Sequence, residues 1–115
     1  MTITEARAGG VTILRLTGRL ELEAGDLTFR DHVNRLIAEG RVNILLDLRD
    51  VTRIDSAGIG MLVSKYLSAK NRGGTIKLLN LTRRSDHLMD ITRLVTVFEI
   101  FDEEDDALRS FEAAT

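Results

Sequence analysis

The 115-residue chain contains no cysteine and no proline. Without cysteine it has neither disulfides nor thiolate metal sites, which suits a reducing cytoplasm, the expected location. Without proline, a serine-rich linker or a repeat period, nothing marks an internal boundary, and residues 1–115 read as a single domain. Excess positive charge is missing too. A net charge of −2 provides no electrostatic footprint for nucleic acid and no attraction to an anionic membrane. The opening MTITEARAGG lacks the apolar core of a secretion signal, and runs such as Ile44-Leu45-Leu46 are far too short to insert into a bilayer. What is present is 43% hydrophobic and 30% charged residues, enough for both a core and a soluble surface, so the chain is globular rather than disordered.

The order of elements follows from periodicity and breakers. Ala8-Gly9-Gly10 supplies a turn, and Val11 to Leu16 is a β-rich run that Gly18 is expected to end, so the first residues form an antiparallel hairpin. Asp26 is a candidate helix cap. Phe29, Val33, Leu36 and Ile37 follow at helical spacing, and Gly40 stands where a helix stops. Residues 42–48 are nearly continuous in apolar character, as in a strand buried on both faces. Beyond the strand-to-helix turn at Asp55-Ser56, Ile59, Leu62, Val63, Tyr66 and Leu67 mark one buried helical face, which Asn71 to Gly74 ends. A strand at 75–79, a short helix at 83–92, a strand at 97–101 and a helix at 103–112 complete the chain. Asp102, Glu103, Glu104, Asp105 and Asp106 crowd the start of that last helix, where its dipole favours negative charge and a solvated surface is the simpler reading. The class is α/β, a mixed sheet with an N-terminal hairpin, about four helices and right-handed crossovers.

Catalytic patterns fail one by one. Ile54-Asp55-Ser56-Ala57-Gly58 has only the second glycine of a G-x-S-x-G nucleophile turn, and His32 and His87 sit inside helical segments with no motif around them. Gly58-Ile59-Gly60 begins a dinucleotide fingerprint, but Val63 occupies the third glycine position; there is no phosphate-cradling G-K-[ST]. No His and acidic residues have metal-ligand spacing. The chain reads as a non-enzyme with no cofactor and no metal.

The exception is Arg53-Ile54-Asp55-Ser56-Ala57-Gly58-Ile59-Gly60, a strand-to-helix turn in which the side chain of Asp55 or Ser56 caps the helix, worth about 1 kcal/mol. Capping alone leaves two glycines in the first turn unexplained, since each costs up to about 1 kcal/mol relative to alanine. Such a cost implies that something approaches this surface closely. A phosphate on Ser56 would meet a helix N-terminus that tolerates an anion, so the fold should survive it. It would also add about −1.5 to −2 charges to a small turn. Against a docked partner, a loss of about 3 kcal/mol is roughly a hundredfold in affinity. Thr52 in the same loop and Ser64 on the polar face of the following helix are secondary candidate phosphosites; Arg83 and Arg84 read as solvated surface.

The segment ILLDLRDVTRIDSAGIGMLV, with LTGRLE before it and RGGTIKLLNL and VFEIFDEEDDAL after it, resembles the STAS domains, specifically the bacterial anti-sigma-factor antagonists, over about residues 10–112. The resemblance implies a STAS-like fold and a partner switch. In it the unphosphorylated protein binds an anti-sigma factor that is itself a serine kinase, and so releases the sigma factor. Phosphorylation of Ser56 weakens that complex, and a metal-dependent serine/threonine phosphatase resets it. Asp55, Ser56, Ala57, Gly58 and Ile59 would dock, together with Glu21, where many antagonists carry aspartate in G-x-L-D. A monomer or weak dimer is expected. The resemblance also admits a non-catalytic STAS subunit of a larger assembly, such as a stress complex or lipid transport machinery.

Overall fold

Gly9 and Gly10 form a two-residue connection, Gly9 at φ +60, that turns strand β1 (Thr2–Ala8) back onto β2 (Val11–Leu20), with Ala8 opposite Val11. The computed structural model describes residues 1–21, 26–81 and 97–113. After the hairpin come α1 (Asp26–Ala38), β3 (Asn43–Ile54), α2 (Ser56–Asn71), β4 (Thr75–Leu79), β5 (Ile100–Phe101) and α3 (Glu104–Ala113). The expected helix over 83–92 lies outside the described residues. Among the described residues, five strands form one sheet in the order β1-β2-β3-β4-β5; β1 is antiparallel to β2, and the remaining pairs are parallel.

Both long helices stop the same way. Gly40 (φ +84) and Gly73 (φ +88) take the left-handed conformation just past α1 and α2. Arg41 N–H then reaches back to the Leu36 carbonyl at 2.9 Å, and Gly74 N–H to that of Ala69 at 2.8 Å, closing orphan carbonyls of the last turn.

The crossovers place α1 and α2 on one face of the sheet. Phe29, Val33 and Leu36 of α1 pack with Ile59, Leu62 and Ala69 of α2 over Leu14, Leu16 and Leu20 of β2 and Ile44, Leu46 and Leu48 of β3. On the other face, Ala107 and Phe111 of α3 cover Val11, Ile13, Leu45 and Leu79. There the buried Lys77 ammonium lies 4.8 Å from the Phe111 ring centroid and bonds the Glu99 carboxylate (2.6 Å) and the Ser110 hydroxyl (2.9 Å). The acidic start of α3 is more than a solvated surface. One Arg15 nitrogen donates to Glu104 and to the buried Asp47, each at 2.9 Å. The bond to Glu104 foremost, and that to Asp47 after it, hold the Arg15 guanidinium more firmly protonated than usual.

Four expectations need correction. Gly18 (φ +115) does not end β2, which continues to Leu20. Nor does β3 stop at 48: it runs to Ile54 and includes Thr52, whose hydroxyl donates to the Gly18 carbonyl at 3.3 Å. The extension pairs with the second half of β2 through two register shifts, so that three residues from Asp47 to Asp50 gain one on Arg15 to Thr17, and Val51 to Arg53 gains another on Gly18 to Arg19. Each extra residue is a bulge in β3. On α2, Leu67 is 55% exposed, while Lys65 is buried and donates to Asn34 Oδ1 of α1 at 2.7 Å. Burial foremost pulls the Lys65 ammonium below its ordinary pKa. The last strand contracts from 97–101 to Ile100–Phe101, because only Leu78 and Leu79 pair with it and Phe98 turns into the core instead.

Candidate functional site

The turn between β3 and α2 is built on the end of β2. Leu20 pairs with Ile54, and both side chains are buried; the Leu20 carbonyl then accepts the Asp55 N–H at 3.3 Å. Asp55 keeps an extended conformation (φ −96, ψ −178), and its Oδ1 accepts the Gly58 N–H at 2.8 Å while its carbonyl accepts the Ile59 N–H at 3.0 Å. Asp55 is thus the helix cap. Ser56 is the first residue of α2, and it is exposed. Of the two capping candidates in the sequence, the structure chooses the aspartate and leaves the serine at the surface.

Of the two glycines, only Gly58 has an internal explanation. A Cβ there would sit 2.1 Å from the Leu20 carbonyl oxygen and 3.0 Å from Ile54 Cγ2, so the first turn of α2 lies directly on the β2 backbone. A Cβ on Gly60 would meet nothing within 4 Å, and this residue is exposed. The close approach inferred from the sequence is therefore internal at Gly58. Gly60 has no such reason inside the fold.

The same Leu20 carbonyl brings Glu21 beside this turn. The structure gathers Glu21, Asp55, Ser56 and Ala57 at the ends of β2 and β3, with Glu21, Asp55 and Ala57 half-buried. Gly58 is buried, and the Ile59 side chain belongs to the core at 7% exposure, so both seat the helix from beneath. Two residues that sequence reasoning passed over complete the cluster. Arg19 Nε lies 3.4 Å and Arg53 Nε 3.8 Å from the Glu21 carboxylate, one on each of its oxygens. Their signal in the sequence is the i, i+2 spacing of Arg19, next to last in β2, and Glu21, the first residue beyond it. It becomes informative only once β2 and β3 are known to extend this far, with Arg19 opposite Arg53.

Elsewhere, a cavity of about 220 Å³ is lined by Tyr66, Lys70, Thr75, Ile76, Lys77, Val97 and Glu99, toward the opposite end of α2. His32 is a packing residue: its Nε2 donates to Glu5 Oε1 at 2.9 Å, tying α1 to β1, and this bond foremost holds the Glu5 carboxyl below its ordinary pKa. His87 lies outside the described residues. Among the described residues no group of three or more His, Cys, Asp or Glu could hold a metal ion. No helix among them is long and apolar enough to cross a membrane.

The chain and its fold have counterparts among known proteins. An anti-sigma F factor antagonist of Paenibacillus polymyxa is 26% identical over 106 residues, covering 92% of this chain and 91% of that protein. The crystal structure of the Thermotoga maritima protein TM1081 superposes with a TM-score of 0.86 at 24% identity, covering 96% of this chain and 94% of the other. The Bacillus protein SpoIIAA, solved in its unphosphorylated and phosphorylated forms, gives 0.71 in both, at 16% and 17% identity over 95% of this chain and 96% and 98% of the other. At these identities the structural likeness establishes a shared fold. The model of the STAS domain matches residues 3–107, and the chain belongs to the STAS domain family.

Proposed function

We propose that this protein is an anti-sigma-factor antagonist whose binding surface is switched by phosphorylation of Ser56. The observation that carries the reading is the division of labour at the head of α2. Asp55 caps the helix, so the exposed Ser56 hydroxyl can be modified without removing the cap. Phosphate there meets the free N–H groups and positive dipole end of a 16-residue helix, and the fold tolerates it. Relatives named as antagonists of anti-sigma factors, and one neighbour in the fold solved with and without phosphate, support the same reading.

The partner of the unmodified form is an anti-sigma factor that is also a serine kinase, which docks over Ser56, Ala57, Asp55 and Glu21, with Gly58 and Ile59 holding that surface in place. Phosphorylation adds about −1.5 to −2 charges inside the contact and weakens it. A metal-dependent serine/threonine phosphatase restores the binding form. The protein acts by binding, with no catalytic step of its own. Pull-down of the kinase from the source cells with Ser56→Ala and Ser56→Asp chains tests this: the alanine form captures it and the aspartate form does not. Equal capture by both, repeated with true phosphoserine at 56, removes the switch.

A further inference from the structure

Charge around Ser56 is arranged in an unusual way for a surface that is to be switched by an anion. Arg53 is three residues before the serine, at the end of β3, and three residues span at most about 10 Å of chain. Arg19 pairs with Arg53 across the two strands, and both guanidinium groups share the Glu21 carboxylate from opposite oxygens. Both contacts are long, at 3.4 and 3.8 Å, and both arginines are more than half exposed, so neither side chain is locked to Glu21. In the unmodified protein both cations are thus drawn to Glu21.

We propose that Arg53, supported by Arg19, is the built-in receiver for phosphate on Ser56, and that modification transfers the Arg53 guanidinium from Glu21 to the phosphate. A phosphate dianion outcompetes a single carboxylate for a guanidinium, because it carries about twice the charge and offers three acceptor oxygens to the planar fork. The transfer has two consequences at one surface. The phosphate is held in a fixed position beside the head of α2, and the Glu21 carboxylate loses one of its two cations. Phosphorylation thereby rearranges the docking surface at two points, the serine and Glu21, although it modifies only one. This inference rests on the reading of Ser56 as the modified residue.

The test does not depend on a kinase or a partner. The full chain is produced with phosphoserine installed at position 56, and the phosphate is titrated by phosphorus NMR at low salt. The second ionisation of phosphoserine, ordinarily near pH 6, moves down when a guanidinium is in contact. The expected result is a value lower by at least about half a unit than in the phosphorylated Arg53→Gln chain, with part of the shift kept in Arg53→Lys and a larger one in Glu21→Gln, where the competitor is gone. The difference shrinks as salt is added. Arg53 is 73% exposed, so its replacement leaves the core untouched, and an amide fingerprint spectrum verifies the fold of each variant. Identical titration of the parent and Arg53→Gln chains overturns the proposal, as does a shift abolished by Arg19→Gln alone. Because the phosphate is installed chemically, this failure would leave the Ser56 switch standing. Absence of Ser56 phosphate in cells would instead remove the switch and leave the titration result intact.

Discussion

Replacing Gly58 with alanine separates a packing account of the Asp55-Ser56 turn from a propensity account. Helix propensity alone makes the change favourable by up to about 1 kcal/mol, since alanine is the better helix former. The structure reverses the sign. The new Cβ would stand 2.1 Å from the Leu20 carbonyl oxygen, and merely to reach 3.0 Å the helix or the strand end must retreat by 0.9 Å. That carbonyl also accepts the Asp55 N–H, so a retreat loosens the cap's own anchor. Overpacking of this kind costs about 1–3 kcal/mol, and contact with backbone rather than a flexible side chain places it at the upper end. Net of propensity, Gly58→Ala should lose about 2 kcal/mol, seen as a lower urea midpoint at unchanged slope and a melting temperature down by roughly 8 °C. Gly60→Ala, with nothing within 4 Å of its Cβ, is the internal control and should gain about 0.5–1 kcal/mol. If Gly58→Ala is as stable as the parent chain, the seating of α2 on β2 described above is wrong.

Other consequences are measurable on the same material. Asp55→Ala should lose about 1 kcal/mol in urea unfolding and Asp55→Asn much less, because the amide oxygen still accepts the Gly58 N–H, while Ser56→Ala should leave stability near that of the parent. Lys65→Met removes a buried ammonium that donates to the exposed Asn34, and the urea midpoint should stay within about 1 kcal/mol of the parent or rise. The carboxyl of Glu5 titrates lower in the folded than in the unfolded chain, so its contribution is present above the unfolded value and fades as pH falls through the folded one. Acid unfolding should therefore begin at higher pH in the parent relative to its own neutral stability than in Glu5→Gln, which has no such contribution to lose.

The helix limits were legible in the sequence because their signals are local. Gly40 and Gly73 take the conformations for which glycine is needed, and the apolar spacing of α1 falls on its core face. The reach of β3 was not, and the bulges explain why. Ile44, Leu46 and Leu48 alternate as a strand should, but the next core residues are Val51 and Ile54, each three further on. One inserted residue re-phases the alternation, and two in succession imitate a helical or irregular spacing. The same obscured register hid Arg19 and Arg53 from a reading that found Glu21, since their convergence depends on pairing between strands. Leu67 misled for a different reason. A helix face is set by what it packs against: α1 offers Asn34 to the buried Lys65, while Leu67, which the apolar spacing places on the core face, stays exposed. At Ser56 the sequence identified the turn and left the cap undecided; the hydrogen bond from Gly58 to Asp55 decided it.

The central claim is that an exposed serine at the head of a helix capped by its neighbour switches a binding surface. Its most direct test is the affinity of the proposed partner, an anti-sigma-factor kinase, for the unmodified chain and for the chain phosphorylated at Ser56, measured side by side by calorimetry at physiological salt. The account predicts a loss on the order of a hundredfold, about 3 kcal/mol, with both forms equally folded. Equal affinity for the two forms would contradict it.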